Sequence, residues 1–283
     1  MSIQKETKLN HLYKVLPEGL LASAVWLERK GYSSALRNQY VKSGWLDQPA
    51  RGVFRRPGGA LKWQQVVISL QSFLDVHPYV GGRTALELHG FTHYVSQEGS
   101  REVHLYSDSK LPGWLGQLDC EAKFIQHNSS RLFQNDPIHR GLTSVELNLK
   151  TEAVARADAL HSSLTQHNWG HWEWPMTLST PERAVLEMLD ELPAKETFHQ
   201  ADMLMEGLRS LSPRRLQKLL EDCKSIKVKR LFLWFAHRHG FRFLHQLDES
   251  QIGLGAGKRM LIKGGHLDSK YLITVPEDMH GNQ

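Results

Sequence analysis

The stretch "GYSSALRNQYVKSGWLDQPARGVFRRPGG", residues 31–59, gathers Arg37, Lys42, Arg51, Arg55 and Arg56 around a helix-length run and two short aromatic segments. These residue types suit a duplex nucleic acid. An arginine can grip a guanine edge through two parallel hydrogen bonds and an asparagine an adenine edge, so Arg37 and Asn38 are the candidates for base reading. Lys42, Arg51, Arg55 and Arg56 are the candidates for phosphates, which set affinity and register but carry little sequence information. Ser33 and Ser34, at the start of the same run, complete the set.

Other patterns carry less chemistry. Asp108 followed by Glu121-Ala122-Lys123 would suit a divalent metal and an activated water for phosphodiester cleavage. On a strand, however, Glu121 and Lys123 would simply share one solvated face. "GLGAGKR", residues 253–259, places three residues between Gly253 and Gly257 and Arg259 after Lys258. A phosphate-cradling loop needs four residues there and a Ser or Thr after the lysine, so that motif fails. His237 and His239 stand two apart, on different sides of a helix. There is no HExxH, no Cys/His quartet and no Gly-x-Ser-x-Gly elbow. The expectation is no catalytic residue, no metal and no cofactor.

The nucleic-acid candidates need a scaffold. Residues 8–16 read as a short helix closed by Pro17 and Gly19, and residues 20–29 as a second, with Leu20, Leu21, Ala24 and Leu27 at helical spacing. Gly31 ends it, and Ser33 caps a third helix, "SALRNQYVKS". Leu36 and Tyr40 face the core; Ser34, Arg37, Asn38 and Lys42 share the other side. "WLDQ" and "GVFRRP" follow as a hairpin joined through residues 49–52, with Trp45 and Phe54 packing it against the helices. Helix, helix, turn, helix, hairpin is the layout of a winged helix-turn-helix, which lays its third helix in a major groove.

Downstream, "LKWQQVVISLQSFLDVH" is a helix, and "PYVGGRTALELHGF" a turn and a short helix ended by Gly90. "REVHLYS", "AKFIQHN" and "GLTSVELNL" alternate like strands, and "NWGHWEWP" reads as a strand or tight turn. "STPE" at 179–182 has the form of a capping box, with Ser179 as cap and Glu182 reaching back. Val185, Met188, Leu189 and Leu192 then form a buried stripe. Further helices start at Ser212-Pro213 and run through "KVKRLFLWFAHRHG". The end reads as two strands around Gly264-Gly265 and a frayed tail after Pro276.

Composition fits an ordinary globular chain: 283 residues, 40% hydrophobic and 23% charged. The net charge is +5, yet residues 1–60 hold 10 Lys+Arg against 4 Asp+Glu, so the basic excess is N-terminal and points to a polyanionic partner. Residues 209–230 hold a second concentration, 8 Lys+Arg against Glu221 and Asp222. Cys120 and Cys223 have no CxxC neighbour, which fits two ordinary thiols in a reducing cytoplasm. The opening residues lack the apolar region of a signal peptide, and no run is long enough to cross a bilayer.

"LASAVWLERKGYSSALRNQYVKSGWLDQPARGVFRRP" resembles the N-terminal winged helix of bacterial AbiEi-type antitoxins. "PYVGGRTALELHGF", "STPERAVLEMLDELP", "KVKRLFLWFA" and "GKRMLIKGG" are similar to later segments of that family. The resemblance implies an antitoxin that counteracts a cognate nucleotidyltransferase-type toxin in a type IV, abortive-infection system. It also implies repression of its own operon at inverted repeats. Arg183, Arg214, Arg215, Lys218, Lys227 and Arg230 are the candidates for an antitoxin surface, chosen by charge and placement. The expected fold is α+β: a winged helix-turn-helix over 1–60, a mixed α/β part over 61–175, and a mainly helical part with a terminal hairpin over 176–283. A winged-helix-fused nuclease and a ligand-responsive regulator are the alternatives.

Overall fold

The computed structural model describes residues 8–74, 76–91, 101–135 and 163–279. Its N-terminal unit runs α1 (Lys8–Val15), β1 (Leu21–Ser23), α2 (Ala24–Arg29), α3 (Ser34–Lys42), β2 (Asp47–Ala50) and β3 (Val53–Arg55). The strands form an antiparallel sheet in the order β1-β3-β2. This is a winged helix-turn-helix.

The helix expected over 20–29 is split, and the reason is burial on two faces. Leu21 and Ala22 are both fully buried but belong to different cores, as alternating strand residues do. Leu21 pairs with Arg55 and Ala22 with Phe54. Ser23 then caps α2 by accepting the Trp26 N–H at 3.0 Å. Ser33 caps α3 as expected, accepting from Leu36 N at 3.4 Å. At the wing turn Gly52 takes φ +76°, a conformation that a Cβ penalises.

The same alternation makes the small sheet a shared wall. Ala22 and Phe54 face α1–α3, packing with Leu12, Leu16, Leu27, Tyr32, Tyr40 and Leu46. Leu21, Ala50 and Val53 face the other way, in the core that holds Val66, Val67 and Leu70 of α4 (Trp63–Phe73). The Leu21 N–H donates to Ser69 Oγ of α4 at 2.8 Å. Each such leucine or valine removed from water contributes ~1.5–3 kcal/mol.

Beyond α4, the described residues form a five-stranded mixed sheet in the order β6-β5-β4-β8-β7. Its strands are β4 (Tyr79–Val80), β5 (Arg101–Tyr106), β6 (Ala122–His127), β7 (Leu164–Trp169) and β8 (Trp174–Ser179). Part of the turn expected at "PYV" is therefore a strand, and it runs parallel to β8. "NWGHWEWP" is the closing end of the β7–β8 hairpin, with Trp169 opposite Trp174. "GLTSVELNL" lies outside the described residues. Among the described residues the α-helices that follow are α5 (Gly82–Leu88), α6 (Pro181–Asp190), α7 (Phe198–Gly207), α8 (Pro213–Asp222) and α9 (Ile226–Arg238). Val185, Met188, Leu189 and Leu192 are buried, in one core that draws side chains from Leu20 to Met279.

Three C-terminal expectations need correction. The N-cap of α6 is Thr180, without a side-chain bond. Ser179 and Glu182 are spent on other elements, Ser179 Oγ on Glu187 and Glu182 on the Ser212 N–H of α8. The terminal strands, β9 (His266–Leu267) and β10 (Thr274–Val275), lie beyond the Gly264-Gly265 turn. The chain reverses at 268–273 instead, where the Asp268 carboxylate accepts the Tyr271 N–H at 2.7 Å. The segment after Pro276 is anchored as far as Met279, which is buried and whose carbonyl accepts from Arg238 at 2.6 Å.

Candidate nucleic-acid interface

Helix α3 turns a polar face to solvent. Ser33, Ser34, Ala35, Asn38, Gln39 and Lys42 are all exposed. Gln39 joins the candidates because it follows Asn38 on the same face, a neighbour that residue type alone does not single out. Arg37 is the correction. It is 6% exposed, donates to the Tyr32 carbonyl, and sits 5.8 Å from the Phe54 ring and 3.8 Å from Glu28 Oε2. Arg37 shares its helix side with Tyr40, one turn on. There it donates to a buried carbonyl in the α2–α3 turn. Arg37 braces the turn rather than reading bases.

The wing arginines divide three ways. Arg51 is exposed at the hairpin turn. Arg56 lies 4.0 Å over the Tyr13 ring and donates to the Tyr13 carbonyl. Arg55 follows Val53 onto the sheet face opposite the helices, pairs with Asp47 at 3.4 Å and donates to the Gly59 carbonyl at 3.1 Å. Phe54 packs the wing as expected. Trp45 does not: it is 44% exposed, edge-on to Tyr13, and Leu46 fills the core position.

The second basic set separates as well. Arg183 and Arg230 are 1% and 2% exposed and offer no surface. Arg215 pairs with Glu182 at 2.8 Å, and Lys227 donates to the Asp190 and Leu192 carbonyls at the end of α6. Arg214 and Lys218 are exposed on α8.

Arg230 answers the question posed by "GLGAGKR". Its guanidinium donates to the carbonyls of Leu254, Gly255, Gly257 and Leu272 at 2.7–3.3 Å. The glycine loop turns its oxygens inward around a cation, the reverse of a phosphate cradle. Replacing Arg230 with lysine is expected to lower the melting temperature, because one ammonium cannot reach all four carbonyls. Thermal unfolding checks this; an unchanged midpoint would remove the cradle's structural role.

Arg183 anchors a buried polar network that joins two separated motifs. Arg183 Nε donates to Glu187 Oε1 at 2.8 Å and Nη2 to Tyr79 Oη at 2.8 Å. Glu187 also accepts from Tyr79 Oη, from Ser179 Oγ at 2.7 Å and from the Gly82 N–H at 2.9 Å. Gly82 takes φ +54°, and a Cβ on Gly81 would collide with Glu187 and Tyr106. Burial, reinforced by Glu187, raises the Tyr79 phenol well above its usual range, so it stays a neutral donor. The clue in sequence is "YVGG" together with an Arg–Glu pair at i,i+4.

A second buried cluster stacks Tyr106, His127 and His104, with His104 Nδ1 2.9 Å from His127 Nε2 and His127 Nδ1 3.1 Å from Glu191. Burial, helped by His127, lowers His104 to about 4 from 6.5. Burial opposes the Glu191 charge, but hydrogen bonds from His127 and Lys195 outweigh it and hold the carboxyl at about 2 rather than 4.5. Both values are depressed by folding. The His104 contribution to stability is complete above 6.5 and is lost as pH falls toward 4; that of Glu191 is complete above 4.5 and is lost toward 2. Urea midpoints should therefore drop on acidification, and His104→Asn should flatten the part between pH 6.5 and 4. An unchanged slope in that variant would exclude His104 as its source.

Asp108 and Glu121 do not converge. Parallel pairing sets Arg101 beside Ala122 and Tyr106 beside His127, so the two carboxylates lie at opposite ends of β5 and β6. Asp108 is occupied by Ser129 and Ser130. Among the described residues, no group of three or more His, Cys, Asp or Glu is placed to hold a metal ion, and no helix is long and apolar enough to cross a membrane.

A family model described as "Transcriptional regulator, AbiEi antitoxin N-terminal domain" matches residues 5–97. A second, "Transcriptional regulator, AbiEi antitoxin, Type IV TA system", matches residues 100–276. No curated protein matches the chain. Among solved structures, the crystal structure of RV2827C protein from Mycobacterium tuberculosis is similar in fold at TM-score 0.51. The two share 13% identity, over 94% of this chain and 88% of that one.

Proposed function

Because the chain belongs to the AbiEi antitoxin family of transcriptional regulators of type IV toxin–antitoxin systems, we propose that it represses its own operon by laying α3 in the major groove of promoter DNA, at inverted repeats. The supporting observation is the outward face of α3, where Asn38, Gln39 and Lys42 stand clear beside Ser33 and Ser34, with Arg51 at the wing turn. Asn38 reads a base edge, and Lys42 and Arg51 hold phosphates. Ser33 and Ser34 flank the backbone at the helix N-terminus, where anions are favoured.

The body beyond the wing counteracts a nucleotidyltransferase-type toxin encoded beside it. Arg214 and Lys218 are the residues of the second basic set that remain open to a partner. The division of labour follows the boundaries 1–60, 61–175 and 176–283, the last two serving the antitoxin role in the cytoplasm. Co-expression with the adjacent gene tests it. Growth should be restored by the full chain and by a Lys42→Ala/Arg51→Ala variant, while repression of a promoter reporter should fail only in the variant. Loss of rescue in a folded variant would refute the division.

A further inference from the structure

A cleft of about 980 Å³ opens between the wing and the larger sheet. Its walls are Pro49 of β2, Arg55 of β3, residues 60–64 leading into α4, Arg101 at the head of β5, and the 117–121 turn. That volume accommodates a nucleotide. The cleft also joins the two segments matched by the family models, since Arg55 belongs to one and Arg101 to the other.

Two of its arginines carry a buried Nε–H that meets no acceptor among the described residues: Arg55 and Arg101. Asp47 stands 3.4 Å from Arg55 Nε but off the hydrogen-bond direction. Glu87 takes Nη2 of Arg101 and leaves its Nε. A buried donor without an acceptor is unfavourable, and two on one cleft call for a ligand rich in acceptors. The Arg101 guanidinium lies 5.5 Å from the Trp63 ring centroid, held beside the first turn of α4. The Lys62 and Gln65 N–H groups at that turn are already taken, by Gln65 Oε1 and the Lys62 carbonyl, so the turn adds the Trp63 and Gln64 N–H groups and the positive end of the helix dipole. Lys62 is exposed at the same edge.

Asp119 and Glu121 line the other side and are exposed. They disfavour a bare anion and ask for hydrogen-bond donors at the far end of the ligand. An exocyclic amino group on a nucleobase supplies them, as cytosine N4 does for a carboxylate; uracil has none.

We propose that this cleft binds a nucleoside phosphate whose base carries an exocyclic amino group, with the phosphate on Arg55, Arg101 and the start of α4 and the amino group on Asp119 and Glu121. Occupancy then bridges β3 of the wing to β5 of the body.

Isothermal titration of the full chain with ATP, CTP, UTP and inorganic phosphate tests the site. ATP and CTP should bind at least tenfold more tightly than UTP or phosphate. Arg101→Gln should weaken ATP tenfold or more, and Asp119→Ala with Glu121→Ala should bring ATP and UTP level. If Arg101→Gln fails to melt cooperatively, Lys62→Gln and the double carboxylate variant, both at exposed positions, carry the test. No saturation by ATP at millimolar concentration, equal affinity for ATP and UTP, or unchanged ATP affinity in the folded variants would each overturn the proposal.

Discussion

Glu187→Ala should lower the unfolding free energy by about 3–5 kcal/mol, the range found when one partner of a buried ion pair is removed. The loss is large because one carboxylate serves four donors: Arg183, Tyr79, Ser179 and the Gly82 N–H. Truncation leaves the Arg183 cation 1% exposed without its counter-charge, although the Phe133 ring 4.2 Å away retains some attraction. Glu187→Gln keeps shape and some acceptor capacity and should fall between the native chain and the alanine variant. Equilibrium urea denaturation at neutral pH measures both. A loss below about 1 kcal/mol in the alanine variant would mean that water replaces the carboxylate at little cost.

The second large effect concerns DNA. Lys42→Ala with Arg51→Ala should reduce the slope of log affinity against log salt by about 1.8, at ~0.9 for each phosphate no longer neutralised. Asn38→Ala should cost ~1–3 kcal/mol of discrimination at one base position while leaving the slope nearly unchanged. Arg37→Ala behaves differently: it should lower the melting temperature, since its guanidinium holds the Tyr32 carbonyl. Arg55→Ala should leave the slope intact, because that side chain faces the cleft. Gel-shift titrations over a salt series, paired with thermal melts, separate these classes. A full slope loss on Arg55→Ala with Lys42 and Arg51 present would reverse the assignment.

Part of the N-terminal order was legible because capping and turn chemistry are local: Ser33 caps α3 and Gly44 follows its end, whereas β1 is not foreseen and the first hairpin strand is Asp47–Ala50 rather than 45–48, which narrows the turn to Arg51-Gly52. Side-chain direction was less legible. Arg37 sits one residue from Asn38, yet its fate depends on an acceptor created by the fold, the Tyr32 carbonyl. Leu21-Ala22 misled for a related reason, since two adjacent buried residues fit a helix face as well as a strand between two cores. The motif residues of "PYVGGR" and "STPERAVLE" stood out as a family signature. Their meaning is structural, a hydrogen-bonded lock between β4 and α6 that no single segment reveals. The cleft was invisible in sequence because Pro49, Arg55, Arg101 and Glu121 meet only through tertiary packing.

The two-sided sheet has a consequence for engineering. A reader built on its own closed core can be grafted between regulators by cutting the linker behind it. Here Leu21 and Val53 lean on α4, and the Leu21 amide is tethered to Ser69, so a graft ending near residue 60 would arrive with a bare greasy underside. A chimera that exchanges promoter choice between relatives should instead carry α4 along and place its seam past the helix.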